Sequence, residues 1–382
     1  MSQWKKVKLK DICLSISDGD HLPPPKTDHG IPFITISNID SLNHLDFSST
    51  LFVSQEYYDT VDDKRKAKPG DILYSVVGSF GKPVLIKENK PFAFQRHIAI
   101  LRPDNDIVDS AFMYYAMMTY DFYMQADSVA LGAAQRTISL GSLRDMTVEV
   151  PSKEVQQHIA NTLSQYDTLI ENYQQQIKLL EEAAQRLYKE WFVGLHFPGY
   201  ENTKIVNGVP EGWEKETLGN IVPILTGKKD ANFADVKGKY PFFTCAQDIL
   251  NAPSYSFDGS AVLLAGNGDF NIKLYRGKFE AYQRTYVLIP KELKYLFLIY
   301  NAIATNLDRL SSRAAGSTIK FLTKGMISSI PILIPSALVL KEYNCLSEEI
   351  QNKIELLRLQ LRLLTEARDR LLPKLMSGEI EV

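Results

Sequence analysis

Two short pairs of side chains carry the clearest chemical potential in this sequence. Gln95-Arg96 and Gln283-Arg284 stand at the same place in two similar stretches, each just before a predicted strand. An arginine fork can pair with guanine, and a glutamine amide with adenine, through two hydrogen bonds each in the major groove. A pair shared by two copies is equally suited to gripping phosphate or to holding the fold. The segments AAQRTIS and AAGSTIK set Arg136, Thr137, Ser317, Thr318 and Lys320 among small residues, where hydroxyls and backbone N–H groups could hold phosphate, or form a plain turn. Lys228-Lys229, after Thr226-Gly227, reads as an exposed basic loop, and Lys26 and Lys82 add cations to loops of the first copy. The stretch Ser17–Gly30 gathers Asp18, Asp20, His21, Asp28 and His29, which suggests a metal; the glutamate that closes a calcium loop is missing, and a recognition loop is the better reading.

Chemistry of the enzymatic kind finds little support. There is no GxxxxGK[ST] phosphate loop, no GxGxxG after a strand and no Asn/Asp-Pro-Pro-aromatic run, and no Ser/His/Asp or Cys/His set recurs in both copies. Cys13, Cys245 and Cys345 form neither an even set nor a metal-ligand spacing, so reduced thiols and a cytoplasmic setting are expected. The opening MSQWKKVKLKDIC is basic with no apolar run behind it, so no signal peptide is expected, and no stretch has the roughly 18 apolar residues of a membrane span. The net charge of −2 is unlike that of a simple nucleic-acid binder. Lys+Arg against Asp+Glu is 16 to 19 in residues 1–150, 5 to 8 in 151–212, 15 to 10 in 213–336 and 7 to 8 in 337–382. Only the third segment is basic, so local patches or a partner must supply an attractive field for DNA.

The elements that must position these residues form a repeat. WKKVKLKDIC and WEKETLGNIV open the two copies, pairing Trp4 with Trp213, and IPFITI (Ile31–Ile36) matches YPFFTC (Tyr240–Cys245) at an offset of 209. DILYSVVGSFGK then matches SAVLLAGNGDF, FAFQRHIAILRP matches FEAYQRTYVLIP, and AAQRTISLGSLRDMTVEVPS matches AAGSTIKFLTKGMISSIPILIPS. The offset has fallen to 188 by the third match, so about 20 residues of the first copy, within Ile39–Gly70, lack a counterpart. A shared scaffold with one divergent loop region is what two readers of different targets would need. Matched blocks are Val-, Ile-, Phe- and Tyr-rich and read as strands, with helices over Ala111–Met124 and Leu293–Leu310, making each copy a mixed α/β globule.

Each copy ends in a long helix. From Ile159 to Trp191 apolar residues recur at steps of four and three: Tyr166, Ile170, Tyr173, Ile177, Leu180, Leu187 and Trp191 lie on this seam. The pattern returns 184 residues later at Ile350, Ile354, Leu357, Leu361, Leu364, Arg368, Leu371 and Leu375. Such a seam is that of a coiled coil, and two matching seams in one chain predict that the helices pack together, or that part of the seam faces a partner. A charge at Arg368 could snorkel, fix the register or meet a carboxylate. The expected order is a globule (1–150), a helix (151–194), a linker (195–212), a second globule (213–336) and a C-terminal helix (337–382). The expected fold is mixed α+β, with the helices pairing antiparallel and the halves related by a pseudo-two-fold.

This arrangement resembles the specificity subunit of type I restriction–modification systems over the whole chain. The resemblance rests on the tandem order, the Trp4…Leu9 and Trp213…Leu218 openings, the Pro210-Glu211-Gly212-Trp213 entry, and the helix ends RLYKEWFVG and RLLPKLMSGEIEV. It implies a non-catalytic subunit in which each globule is a target recognition domain for one half of a split, asymmetric double-stranded DNA sequence. It further implies that the paired helices set the spacing and dock two methyltransferase subunits, with a translocase–nuclease subunit joining. S-adenosylmethionine, ATP and Mg2+ would belong to those partners and none to this chain. A seam of 33 residues at ~1.5 Å each makes a rod of roughly 50 Å, enough to separate two readers by one DNA turn. Base choice is expected from Ser17–Gly30 and Ile39–Gly70 in the first copy, and from Thr226–Lys239 and Ala246–Asp258 in the second. The alternatives are a structural coiled-coil adaptor with two protein-binding heads, and a nuclease or methyltransferase with its own site.

Overall fold

The computed structural model describes residues 4–20, 24–40, 42–132, 135–316 and 320–380. The chain divides into two compact units, one of residues Met1–Asn172 with Gln360–Val382 and the other of Tyr173–Leu359. Each unit therefore holds one globule together with a stretch of both long helices, Lys153–Tyr188 and Ala337–Met376.

The first unit contains strands β1 (Lys5–Lys8), β2 (Cys13–Asp18), β3 (Ile31–Ile34), β4 (Leu51–Val53), β5 (Ile72–Ser75), β6 (Pro83–Leu85), β7 (Ala93–Phe94), β8 (Ile98–Pro103) and β9 (Thr147–Val150). They form a ribbon β1-β9, an antiparallel sheet β2-β8-β5-β6 and a sheet β4-β3-β7 whose β3–β7 pairing is parallel. Successive side chains of a strand point to opposite faces. Ile72, Tyr74, Ala99 and Leu101 accordingly join a core with Phe112, Met113 and the long helices, whereas Leu73, Ile98 and Ile100 join a second with Phe92 and Phe94. Two buried faces explain why ILYS and IAIL read as unbroken apolar runs.

A linker hairpin of β10 (Ile205–Val206) and β11 (Val209–Pro210) precedes the second globule. Its strands are β12 (Glu214–Thr217), β13 (Ile224–Thr226), β14 (Tyr240–Phe243), β15 (Leu250–Ala252), β16 (Phe257–Ala265), β17 (Ile272–Ala281), β18 (Thr285–Leu288) and β19 (Pro331–Ile334). The plan repeats: β12 pairs with β19, and one sheet runs β13-β18-β16-β17-β14-β15. Here the single strand β17 does the work of both β6 and β7, pairing antiparallel with β16 and parallel with β14. In the first unit the polar run Lys87-Glu88-Asn89-Lys90-Pro91 interrupts that strand, and proline, having no N–H, cannot continue the ladder.

Register locates the extra residues of the first copy. Ile31 pairs with Val53 as Tyr240 pairs with Ala252, so the offset of 209 at β3 is 199 at β4. Ile72 pairs with Leu101 as Val262 pairs with Leu288, which brings it to 190 at β5. The insertion is thus split, part between β3 and β4 and part in the helix Gln55–Thr60 and the turn Asp63–Arg65.

Two helical predictions change in detail. Ala111–Met124 becomes two helices, Ser110–Met118 and Tyr120–Val129, because the Thr119 hydroxyl accepts from Phe122 N–H and starts a new one. Leu293–Leu310 becomes the turn Leu293–Tyr295 and helices Leu296–Thr305 and Leu307–Arg313.

Inside each unit the long helices pair antiparallel. In the first, Ile159 and Leu163 share a core with Leu372, Leu375 and Met376. In the second, Tyr188, Trp191 and Phe192 pack with Val339, Leu340 and Tyr343, and the Phe192 and Tyr343 rings meet edge-to-face at 4.8 Å. Of the seam residues, Ile170, Trp191, Ile354, Leu357, Arg368 and Leu375 are buried; Tyr166, Tyr173, Ile177, Leu180, Leu187, Ile350, Leu361, Leu364 and Leu371 are half-buried. Each globule also meets a helix end through its opening tryptophan. Trp4 lies against Gly378 and Trp213 against Phe192 and Phe197.

Candidate nucleic-acid interface

The same three turns converge in both units, and their hydrogen bonds define which residues correspond. The first turn follows β2 and β13. Gly19 N–H donates to Ile98 O at 3.2 Å, and Gly227 N–H to Thr285 O at 3.1 Å. A Cβ at Gly19 would lie 2.1 Å from Phe94 O, and one at Gly227 2.0 Å from Ala281 O, so only glycine lets the backbones approach this closely. The second turn precedes β8 and β18. Arg96 N–H donates to Asp20 O at 3.0 Å, and Gln283 N–H to Lys229 O at 2.9 Å. His97 O accepts from Val76 N–H as Arg284 O accepts from Gly266 N–H, at 2.9 and 2.8 Å. The third is the loop after β5 and β16 with its bridged partner: Gly78 N–H reaches Arg136 O at 3.0 Å, and Gly268 N–H reaches Lys320 O at 3.4 Å.

This network corrects one reading of the sequence. Gln95-Arg96 and Gln283-Arg284 do not coincide; they are one residue out of step. Arg96 corresponds to Gln283, His97 to Arg284, and Gln95 to Tyr282, because Asp20 bridges Gln95 as Lys229 bridges Tyr282. The signal was available: aligning Phe92 with Phe279 gives an offset of 187, whereas matching the dipeptides demands 188.

In the first unit the turns enclose a cleft of ≈ 280 Å³ lined by Asp18, Arg96, His97, Gln135, Thr137 and Ser139 among others. Arg96 is exposed, and burial followed by the Arg96 charge pushes the His97 imidazolium down from its ordinary value, favouring the neutral ring. His97, Gln135 and Ser139 are polar cleft residues that sequence reasoning did not single out.

The remaining candidates separate by what they already touch. Arg136 is committed within the protein: its guanidinium pairs with the Asp127 carboxylate and carbonyl and lies 5.4 Å from the Phe80 ring centroid. Thr137 is exposed and exchanges backbone hydrogen bonds with Leu131 at 2.8 and 2.9 Å. Lys320 and Lys228 are exposed, whereas Lys229 covers the Phe233 ring at 4.3 Å. Lys26 is exposed on the loop after β2, apart from the cleft lining, and Lys82 is half-buried, its backbone paired with Ser75. Ser317 and Thr318 lie outside the described residues. In the loop suspected of metal binding, Asp20 accepts from the Tyr57 hydroxyl, and Arg65 approaches Asp18 and Asp20 at 3.6 Å; His21 lies outside the described residues.

The repeated geometry is matched by comparison with known proteins. A family model described as the type I restriction modification DNA specificity domain matches residues 1–182 and again 210–342. The chain belongs to this family. Among relatives of this specificity family, the EcoDI specificity subunit of Escherichia coli is 40% identical over 176 residues, 45% of this chain; that match spans only 39% of the relative's length. The HindI specificity subunit of Haemophilus influenzae is 24% identical over the full length of both chains. The crystal structure of the M. genitalium type I S subunit superposes with a TM-score of 0.60 at 20% identity, covering 98% of this chain and 96% of that one, which shows the same fold. Among the described residues, no helix is long and apolar enough to cross a membrane.

Proposed function

We propose that this chain is the non-catalytic DNA-recognition and assembly subunit of a type I restriction–modification complex. Each globule reads one half of a bipartite, asymmetric double-stranded target. The observation that carries this reading is the repeated three-turn site, built on the same hydrogen bonds in both units but with different side chains and different flanking loops. Two unequal readers on one chain suit two unequal half-sites, where a homodimer would demand a palindrome.

The long helices act as ruler and dock. Leu356, Leu359 and Leu363 recur at steps of three and four along the second helix and are 47%, 45% and 53% exposed. An exposed apolar row of this kind suits a protein partner, and two methyltransferase subunits are the occupants we assign to the helices. A translocase–nuclease subunit completes the complex, and S-adenosylmethionine, ATP and Mg2+ are held by those partners.

The test is methylation-sensitive sequencing of DNA from cells that make this chain with its methyltransferase. A bipartite, non-palindromic methylated motif that disappears on deleting this chain is the expected result. Unchanged methylation would end the specificity reading and favour an adaptor.

A further inference from the structure

The corrected register changes what the turn before β8 and β18 means, and the following inference rests on the specificity reading above. A dipeptide common to both units would argue for a shared duty. The structure instead sets Arg96 opposite Gln283 on backbones held alike, each N–H donating to the carbonyl of the loop after the first sheet strand, Asp20 at 3.0 Å and Lys229 at 2.9 Å. Both side chains are exposed, and neither makes a hydrogen bond or ion pair among the described residues. Their neighbours differ in kind. The next position holds His97, whose ring favours the neutral form, in one unit and the exposed Arg284 in the other; the position bonded to the loop after β5 and β16 holds Arg136, engaged by Asp127, and the exposed Lys320. Exposed cations such as Arg284 and Lys320 suit a phosphate backbone common to every target. The position that changes, while its backbone does not, suits the part of the target that differs.

We infer that Arg96 and Gln283 occupy one base-reading position in two recognition domains, Arg96 selecting a guanine in one half-site and Gln283 an adenine in the other. The guanidinium fork matches guanine O6 and N7, and the glutamine amide matches adenine N7 and N6. Each amino acid fits one base edge with two hydrogen bonds, and exchanging them mismatches both.

The experiment sequences methylated DNA from a methylation-free host carrying the partner methyltransferase with wild-type chain, R96Q, R96K or Q283R. R96Q should weaken preference for one guanine in one half-site by roughly tenfold or more and leave the other half-site untouched. Q283R should do the same to one adenine in the other half-site. R96K keeps the charge but loses the fork, so it should also relax the guanine; wild-type behaviour of R96K would assign Arg96 to phosphate and overturn the inference. Intact motifs in R96Q and Q283R, or methylation lowered evenly at every position by variants that melt like wild type, would overturn it as well. A wild-type chain that yields no bipartite motif would instead bring down the specificity reading itself, and this inference with it.

Discussion

Asp167 on the first long helix and Arg368 on the second are joined inside the first unit by a 2.8 Å ion pair, with both side chains less than a tenth exposed. Tyr115 donates its hydroxyl to the other Asp167 oxygen at 2.7 Å, and Arg368 also reaches Asp369 at 2.8 Å. Burial alone would lower the Arg368 pKa, but the hydrogen bonds to Asp167 and Asp369 outweigh it and the group stays charged. The charge that interrupts an apolar seam therefore has a fixed partner across the helix pair.

Removing one member of that pair should cost far more than removing both. Arg368→Met leaves the Asp167 carboxylate buried with one neutral donor, and a loss of ~3–5 kcal/mol is expected in urea unfolding. The double variant Asp167→Leu with Arg368→Met should recover most of it, since a packed apolar pair can replace a buried ion pair. A loss in the double variant equal to the sum of the losses in Arg368→Met and Asp167→Leu would show that the residues are not coupled.

A second ionic tie fastens the insertion of the first copy. His44 lies 3.6 Å from Asp40 and 3.2 Å from Glu171 on the first long helix, and Lys87 reaches Glu171 at 2.5 Å. Hydrogen bonds to Asp40 and then Glu171 raise His44 from 6.5 to about 9, against the opposing effect of burial. The hydrogen bond from His44, with help from Lys87, lowers Glu171 from 4.5 to about 2. The raised group stabilises fully below its unfolded value and is lost as pH rises through about 9; the depressed one stabilises above 4.5 and is lost as pH falls toward about 2. All of these groups are partly exposed, so water screens the gain and global stability should move little. The local readout is exchange of the His44 amide, which donates to Asp40 at 2.8 Å. Corrected for intrinsic rate, its protection should fall across pH 9 in the wild type and show no such step in His44→Asn.

The close glycine contacts allow the two readers to be damaged separately. Gly227→Ala drives a methyl group into Ala281 O and Tyr282 O, at 2.0 and 2.4 Å, so the turn carrying Gln283 must move. A loss of ~1–3 kcal/mol is expected, typical of overpacking. Half-site selectivity should fail only in the half read by the second globule, and Gly19→Ala should spoil only the other half. Loss of both half-sites from either single change would contradict independent readers.

Much of this was legible in the sequence because repetition exposes scaffold. Short unbroken apolar runs such as IAIL and AVLL marked buried strands, and the four-three seam located both helices and picked out Arg368 as its one charge. What sequence spacing left open was register. The Gln-Arg dipeptides look equivalent by identity, yet the ladder fixes correspondence through backbone bonds, and a slip of one residue moves side chains to the other face. The same limit hid the split insertion, since a falling offset counts extra residues without placing them. It also hid Arg136's partner, because Asp127 lies on a helix that the sequence reading ended at Met124.

Arg136 and Lys320 offer the sharpest separation of structural from DNA-gripping cations, because they hold the same place in the two units but not the same surroundings. Arg136 is engaged by Asp127 and Phe80, whereas Lys320 is exposed. A phosphate contact releases condensed counterions, so losing one lowers the slope of log affinity against log salt by ~0.9. Lys320→Ala should show that drop in binding of duplex DNA by the assembled complex, with unchanged melting. Arg136→Ala removes a half-exposed ion pair and should cost at most ~1 kcal/mol of stability. With its guanidinium engaged by Asp127, Arg136→Ala should leave the salt slope at the wild-type value; a fall in parallel with that of Lys320→Ala would show that Arg136 grips phosphate as well. A slope unmoved by either change would remove this pair of positions from the DNA-binding surface.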